Sequence, residues 1–122
     1  MNVWLLIAAI NGALAVACGA FAAHGLEGRI DERSLSVFET GARYHMYHAL
    51  AICLAALGMR GAASQAAGYA AAFFLAGIVL FAGSLYVLAL TGMRAAAIVT
   101  PFGGVAFLIG WITLAYAGTR LA

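Results

Sequence analysis

The chain has 122 residues, 66% of them hydrophobic and only 8% charged, with a net charge of +2. Ordinary soluble domains are about 25% charged, and a mean hydropathy of +1.05 leaves more apolar surface than a fold of this length can hide. Composition therefore excludes a soluble globular domain, and six scattered arginines with no lysine form no face that would bind nucleic acid.

Four apolar blocks follow one another, at about residues 3–23, 41–58, 66–90 and 97–116. Each approaches the roughly 20 residues a helix needs to cross about 30 Å of hydrocarbon. A helix also satisfies its own backbone in lipid, and the alternating pattern of a barrel is absent. The predicted fold class is all-α: one membrane domain of four transmembrane helices in a compact left-handed bundle.

The first block has no basic residue before it, and Ala15-Val16-Ala17-Cys18 lacks the large aliphatic residue of a lipoprotein cleavage box. It is therefore expected to remain as a span. Asn11 falls near mid-membrane on a face with Ala8, Ala15, Cys18 and Ala22, where a pin between helices is the first reading and a ligand contact the second. Cys18 and Cys53 both lie inside apolar blocks and read as small buried residues, not as a disulfide or metal pair.

Residues 24–40 make the only long connection and hold all four acids, Glu27, Asp31, Glu32 and Glu39, with Arg29 and Arg33. Leu35, Phe38 and Ala42 recur at helical spacing, which predicts a short helix lying on the membrane surface.

The second block opens with the sequence GARYHMYHAL. From His48 to Gly58 is about 16 Å of helix, too short to cross about 30 Å, so His48 should lie below the water surface and His45 one turn nearer to it. At about 100° per residue, Tyr44, His48, Ala51 and Ala55 share one stripe, while Met46, Leu50, Leu54 and Leu57 lie opposite. Small residues suit neighbouring helices and long aliphatic ones suit lipid, so His48 should point into protein. An ionisable group there is a functional candidate; the plainer alternative is a neutral imidazole locking two helices together.

Short links near residues 60–65 and 91–96 make the last three blocks antiparallel neighbours. Small residues recur every seven positions: Ala70, Gly77, Ser84 and Thr91; Ala96, Gly103, Gly110 and Ala117; Gly12 and Gly19. That spacing keeps a close-packing seam on one side of a helix and favours left-handed crossings near +20°. Pro101 fits a first-turn helical position, and Trp4, Trp111 and Tyr116 read as interfacial anchors.

His24, Tyr44, His45, His48, Ser84, Tyr86, Arg94 and Thr100 gather on one side of the membrane and form the candidate polar site. No acid or cysteine completes a metal set, so no metal or cofactor is expected; haem held between His24 and His48 is an alternative. Ser84 lacks the Gly-x-Ser-x-Gly elbow and an orienting acid, so no enzyme activity is expected. Arg29, Arg33, Arg43 and Arg94 lie on one side against Arg60 and Arg120 on the other, which favours both termini facing away from the cytoplasm.

Gly19-Ala20-Phe21-Ala22-Ala23-His24-Gly25-Leu26 and Tyr44-His45-Met46-Tyr47-His48-Ala49-Leu50 resemble the signature of the domain-of-unknown-function 423 family. Leu80-Phe81-Ala82-Gly83-Ser84-Leu85-Tyr86 and Thr100-Pro101-Phe102-Gly103-Gly104 extend the match over most of the chain. The resemblance implies a small bacterial inner-membrane protein of four helices, similar also to animal transmembrane protein 256, with no catalytic residues to carry over. It places His24 and His48 in the motifs; at His45 the family more typically has Gln, and at Ala22 often Gly. The expected function is a self-associating bundle that binds or passes a small solute or proton near His48. An accessory subunit of a larger membrane complex, and a haem or quinone carrier, are the alternatives.

Overall fold

The computed structural model describes residues 1–121, and they contain helices and no strand. Helix α1 runs Val3–Phe21 and continues through a wider π turn, Ala22–Leu26. Helix α2 is Glu32–Leu57. After a short 3-10 turn, α3 (Ser64–Gly77) passes through a second π turn, Ile78–Ala82, into α4 (Gly83–Thr91). Helix α5 is Arg94–Thr119. Three rods are long and apolar enough to cross a membrane: Val3–Leu26, Gly61–Thr91 and Arg94–Thr119.

Local chemistry sets the helix ends. Asn2 caps α1 through its side-chain oxygen, 3.0 Å from the Leu5 amide, and Asp31 caps α2 in the same way, 2.7 Å from the Ser34 amide. Each cap satisfies an amide that the first helical turn leaves without a partner. Between α4 and α5 the chain turns within two residues because Gly92 adopts φ +71°, a left-handed conformation that costs glycine little.

The surface helix expected within residues 24–40 does not exist as a separate element. Its first half finishes the α1 rod and its short link, while residues from Glu32 onward form the first turns of α2. No proline or glycine interrupts the chain from the Asp31 cap to Thr40. Phe38 is buried against Ala22, Leu26 and Ala89, so the apolar stripe of this segment packs on its own bundle. Pro101 likewise departs from expectation: α5 starts at Arg94, which puts the proline inside the helix. It deprives the Ala97 carbonyl of its usual i+4 amide partner.

Helix α2 sits centrally, packed against α1 on one side and against α3 and α4 on the other, while α5 lies on α3 and the second π turn. The core is built from small residues around two fully buried large ones, Phe74 and Ile52. Glycines create the tightest approaches. A Cβ at Gly103 would collide with the backbone of Phe81, one at Gly77 would strike the Phe107 ring, and one at Gly110 would lie 2.7 Å from the Phe74 ring. By contrast, a Cβ at Gly12 or Gly19 would meet nothing within 4 Å, because each lines an open groove between α1 and α2.

Candidate functional site

His45 and His48 stand three residues apart on α2, and both are buried, at 6% and 5% exposure. Three steps of a helix turn the second side chain about 60° from the first, so the two rings meet different neighbours. The His48 Nδ1–H donates to the carbonyl of Tyr44 at 2.8 Å. This leaves Nε2 as an acceptor, and the indole N–H of Trp111 donates to it at 3.1 Å. The ring also stacks on Phe107, with centroids 3.5 Å apart and planes within 7°.

A neutral imidazole has one donor and one acceptor, and His48 uses each once. A proton added at Nε2 would face the Trp111 N–H, which can only donate. His48 can therefore be protonated at that nitrogen only if Trp111 moves away. The same contact keeps the Nε2 lone pair from a metal or haem iron.

His45 joins three helices. Asn11 on α1 donates its Nδ2–H to the carbonyl of Ile7 at 2.9 Å, which turns its Oδ1 toward His45 Nε2, 3.0 Å away. The Nε2–H donates there, and His45 Nδ1 accepts the hydroxyl of Tyr86 on α4, also at 3.0 Å. A third polar contact ties α4 to α5. Ser84 Oγ–H donates to the carbonyl of Phe81 at 2.8 Å, leaving the Thr100 hydroxyl to donate to Ser84 Oγ at 2.6 Å. Among the described residues no buried side-chain nitrogen or oxygen lacks a partner, as a low-dielectric interior requires.

The eight candidate residues thus separate. Tyr44 belongs with His48, Tyr86 with His45, and Ser84 with Thr100. His24 is exposed on the π turn and Arg94 is exposed at the start of α5, and neither bonds to a histidine of α2. Of the expected packing positions, Asn11 bridges helices through His45, and Gly77, Gly103 and Gly110 lie at close crossings. Sequence reasoning missed Trp111, which was read only as an anchor. The available signal was its spacing: Phe107 and Trp111 are four apart, and so share one face of α5.

Beside His48 a cleft of about 440 Å³ opens between α2, the second π turn and α5. Its walls are Tyr44, Tyr47, His48, Phe81, Phe107 and Trp111, with Gly104 and Leu108 completing it. The Tyr44 ring meets Tyr47 edge-on at 5.5 Å and Phe81 at 5.0 Å. The second π turn, whose Phe81 lies against Gly103, presents that ring to the cleft; π turns often sit at such sites. No cluster of three His, Cys, Asp or Glu able to hold a metal ion occurs among the described residues.

Apolar rods with their polar side chains bonded to one another define a multi-pass helical membrane protein. More particularly, the chain belongs to the family described as "Protein of unknown function (DUF423)", which matches residues 18–104. It is 46% identical to the UPF0382 membrane protein YwdK of Bacillus subtilis over 98% of each chain. A UPF0382 membrane protein of Staphylococcus aureus is 42% identical over 100% of this chain and 99% of its own length. One from Haemophilus influenzae is 43% identical over 98% and 95%. No solved structure matches.

Proposed function

We propose that this protein is a non-catalytic membrane binding protein whose cleft beside His48 takes a flat, lipid-soluble ring compound of the quinone class. The observation that carries this reading is the aromatic cleft itself. Its volume lies within the range of small-molecule sites, and five aromatic side chains supply faces and edges for a planar ring. Tyr44 and Tyr47 add ring faces and edges to a lining that is almost wholly apolar, so ring contact is what would hold the compound. The engaged nitrogens of His48 favour a fixed wall over a proton relay or a haem ligand. In this reading α2 crosses the membrane with the other three rods, the bundle is left-handed, and both termini face away from the cytoplasm of the inner membrane.

Trp111 provides the test. In a Trp4→Phe background it is the only indole left, and a short-chain quinone titrated into proteoliposomes should quench it along a saturating curve. A Cβ at Gly104 has only the edge of Phe81 near, at 4.0 Å, so Gly104→Leu should fill the cleft without forcing helices apart and should abolish saturation. Linear quenching, unchanged by Gly104→Leu, would refute binding in the cleft.

A second reading, association with copies or with a larger membrane complex, draws support from α1. Gly12 and Gly19 lie seven residues apart in open grooves beside α2 with room for added atoms, and small residues at helical spacing let membrane helices approach closely. If they do so here, the protein in lipid should be oligomeric and Gly12→Leu with Gly19→Leu should be monomeric. A monomeric wild type would count against it.

A further inference from the structure

A second cavity lies at the end of the bundle where α2 begins, α4 ends and α5 begins, and its chemistry is opposite to that of the aromatic cleft. It holds about 400 Å³, and its polar lining is two arginines, Arg33 on α2 and Arg94 on α5, with Ser34. Val37, Leu88 and Ala97 belong to its apolar lining, and no carboxylate lines it. The two acids nearest Arg33 in sequence, Glu32 and Asp31, do not line the cavity; Asp31 accepts the Ser34 amide at 2.7 Å and also feels the charge of Arg33. Gly92 lets α4 stop and α5 start within two residues, which brings Arg94 to the cavity that Arg33 lines from another helix.

Two further features point to an anion. The α5 N-terminus has neither a side-chain cap nor an acidic residue in its first turn, so no carboxylate offsets the positive end of its dipole. The cavity also sits where the apolar rods Gly61–Thr91 and Arg94–Thr119 meet end to end, so a bilayer spanned by these rods would bring its headgroup phosphates to this level. Arginine suits phosphate because its planar fork offers paired donors.

We infer that the Arg33–Arg94 cavity binds a phosphate group, held by the two guanidiniums and Ser34 above an apolar floor. An anionic glycerophospholipid supplies that group together with a chain for the floor; a free phosphate would use the polar part alone.

The test uses the full chain in neutral detergent micelles with fluorescent phosphatidylglycerol or fluorescent phosphatidylcholine, read by anisotropy. The wild type should bind phosphatidylglycerol at least about tenfold more tightly. Arg33→Gln and Arg94→Gln should each weaken it about fivefold, as expected for one arginine near an anionic headgroup, and the pair should abolish the preference. Lysine at both positions keeps the charge without the fork and should retain only part of it, and Arg60→Gln, outside the cavity, should change nothing. Inorganic phosphate at constant ionic strength distinguishes the sources: displacement of the labelled lipid at millimolar levels marks a free-anion site, and no displacement marks a lipid site. Equal binding of the two lipids by the wild type, or an undiminished preference in a folded double Gln variant, would overturn the inference.

Discussion

Gly103→Ala and Gly12→Ala are the same chemical change on two helices, and they should shift stability in opposite directions. At Gly103 the added Cβ would fall 2.7 Å from both Cα and Cβ of Phe81 and would collide with its backbone nitrogen, whereas ordinary contacts start at 3.4 Å. Backbone cannot rotate aside, so α5 must withdraw from the second π turn by about 1 Å, an overpacking distortion that costs about 1–3 kcal/mol. Such a withdrawal would lengthen the 2.6 Å contact between Ser84 and Thr100 beyond hydrogen-bonding range. Losing an interhelical bond of this kind in a membrane costs about 0.6 kcal/mol more. After the roughly 1 kcal/mol by which alanine is the better helix former, Gly103→Ala should therefore destabilise by about 0.6–2.6 kcal/mol. At Gly12 nothing lies within 4 Å, and alanine is the better helix former by up to about 1 kcal/mol. Reversible unfolding in mixed micelles, followed by circular dichroism, measures both. A Gly103→Ala protein as stable as wild type would refute the close crossing of α5 and the π turn.

The His45 network should behave as one unit: a double-mutant cycle of His45→Ala and Tyr86→Phe should give a coupling of about 0.6–1.7 kcal/mol, and additive effects would show that the 3.0 Å contact contributes nothing. At the exposed start of α2, the Ser34 amide, with help from Arg33, holds the Asp31 carboxyl below its ordinary value. A carboxyl held lower in the folded state contributes fully above its unfolded value and loses that contribution as pH falls through the folded value. The stability difference between wild type and Asp31→Ala should thus be constant above about pH 5 and should close in acid. A gap that persisted in strong acid would mean that the charge of Asp31 plays no part in capping.

Much of the architecture was legible from spacing alone. The seven-residue row Ala96, Gly103, Gly110 and Ala117 is buried throughout α5, because a row at that period stays on one side of a helix. On α2, His48, Ala51 and Ala55 are buried while Leu50, Leu54 and Leu57 are exposed, as the stripe of small residues implied, but Tyr44 of the same stripe is exposed and Met46 opposite it is half-buried. The surface helix failed for a physical reason: an amphipathic stripe says that one face must be covered, not what covers it. In this chain Phe38 covers itself with Ala22 and Leu26.

The sequence by itself determined that the chain is helical and membrane-bound, and that His48 faces protein, since these follow from composition and from angular periodicity along one helix. Tertiary structure alone decided that α2 is the central helix with neighbours on two sides. Only then do His45 and His48, about 60° apart, reach different partners, Asn11 with Tyr86 in one case and Trp111 in the other. Periodicity fixes the direction of a side chain about its own axis; which group waits in that direction depends on how separate helices are placed, and no local pattern encodes that.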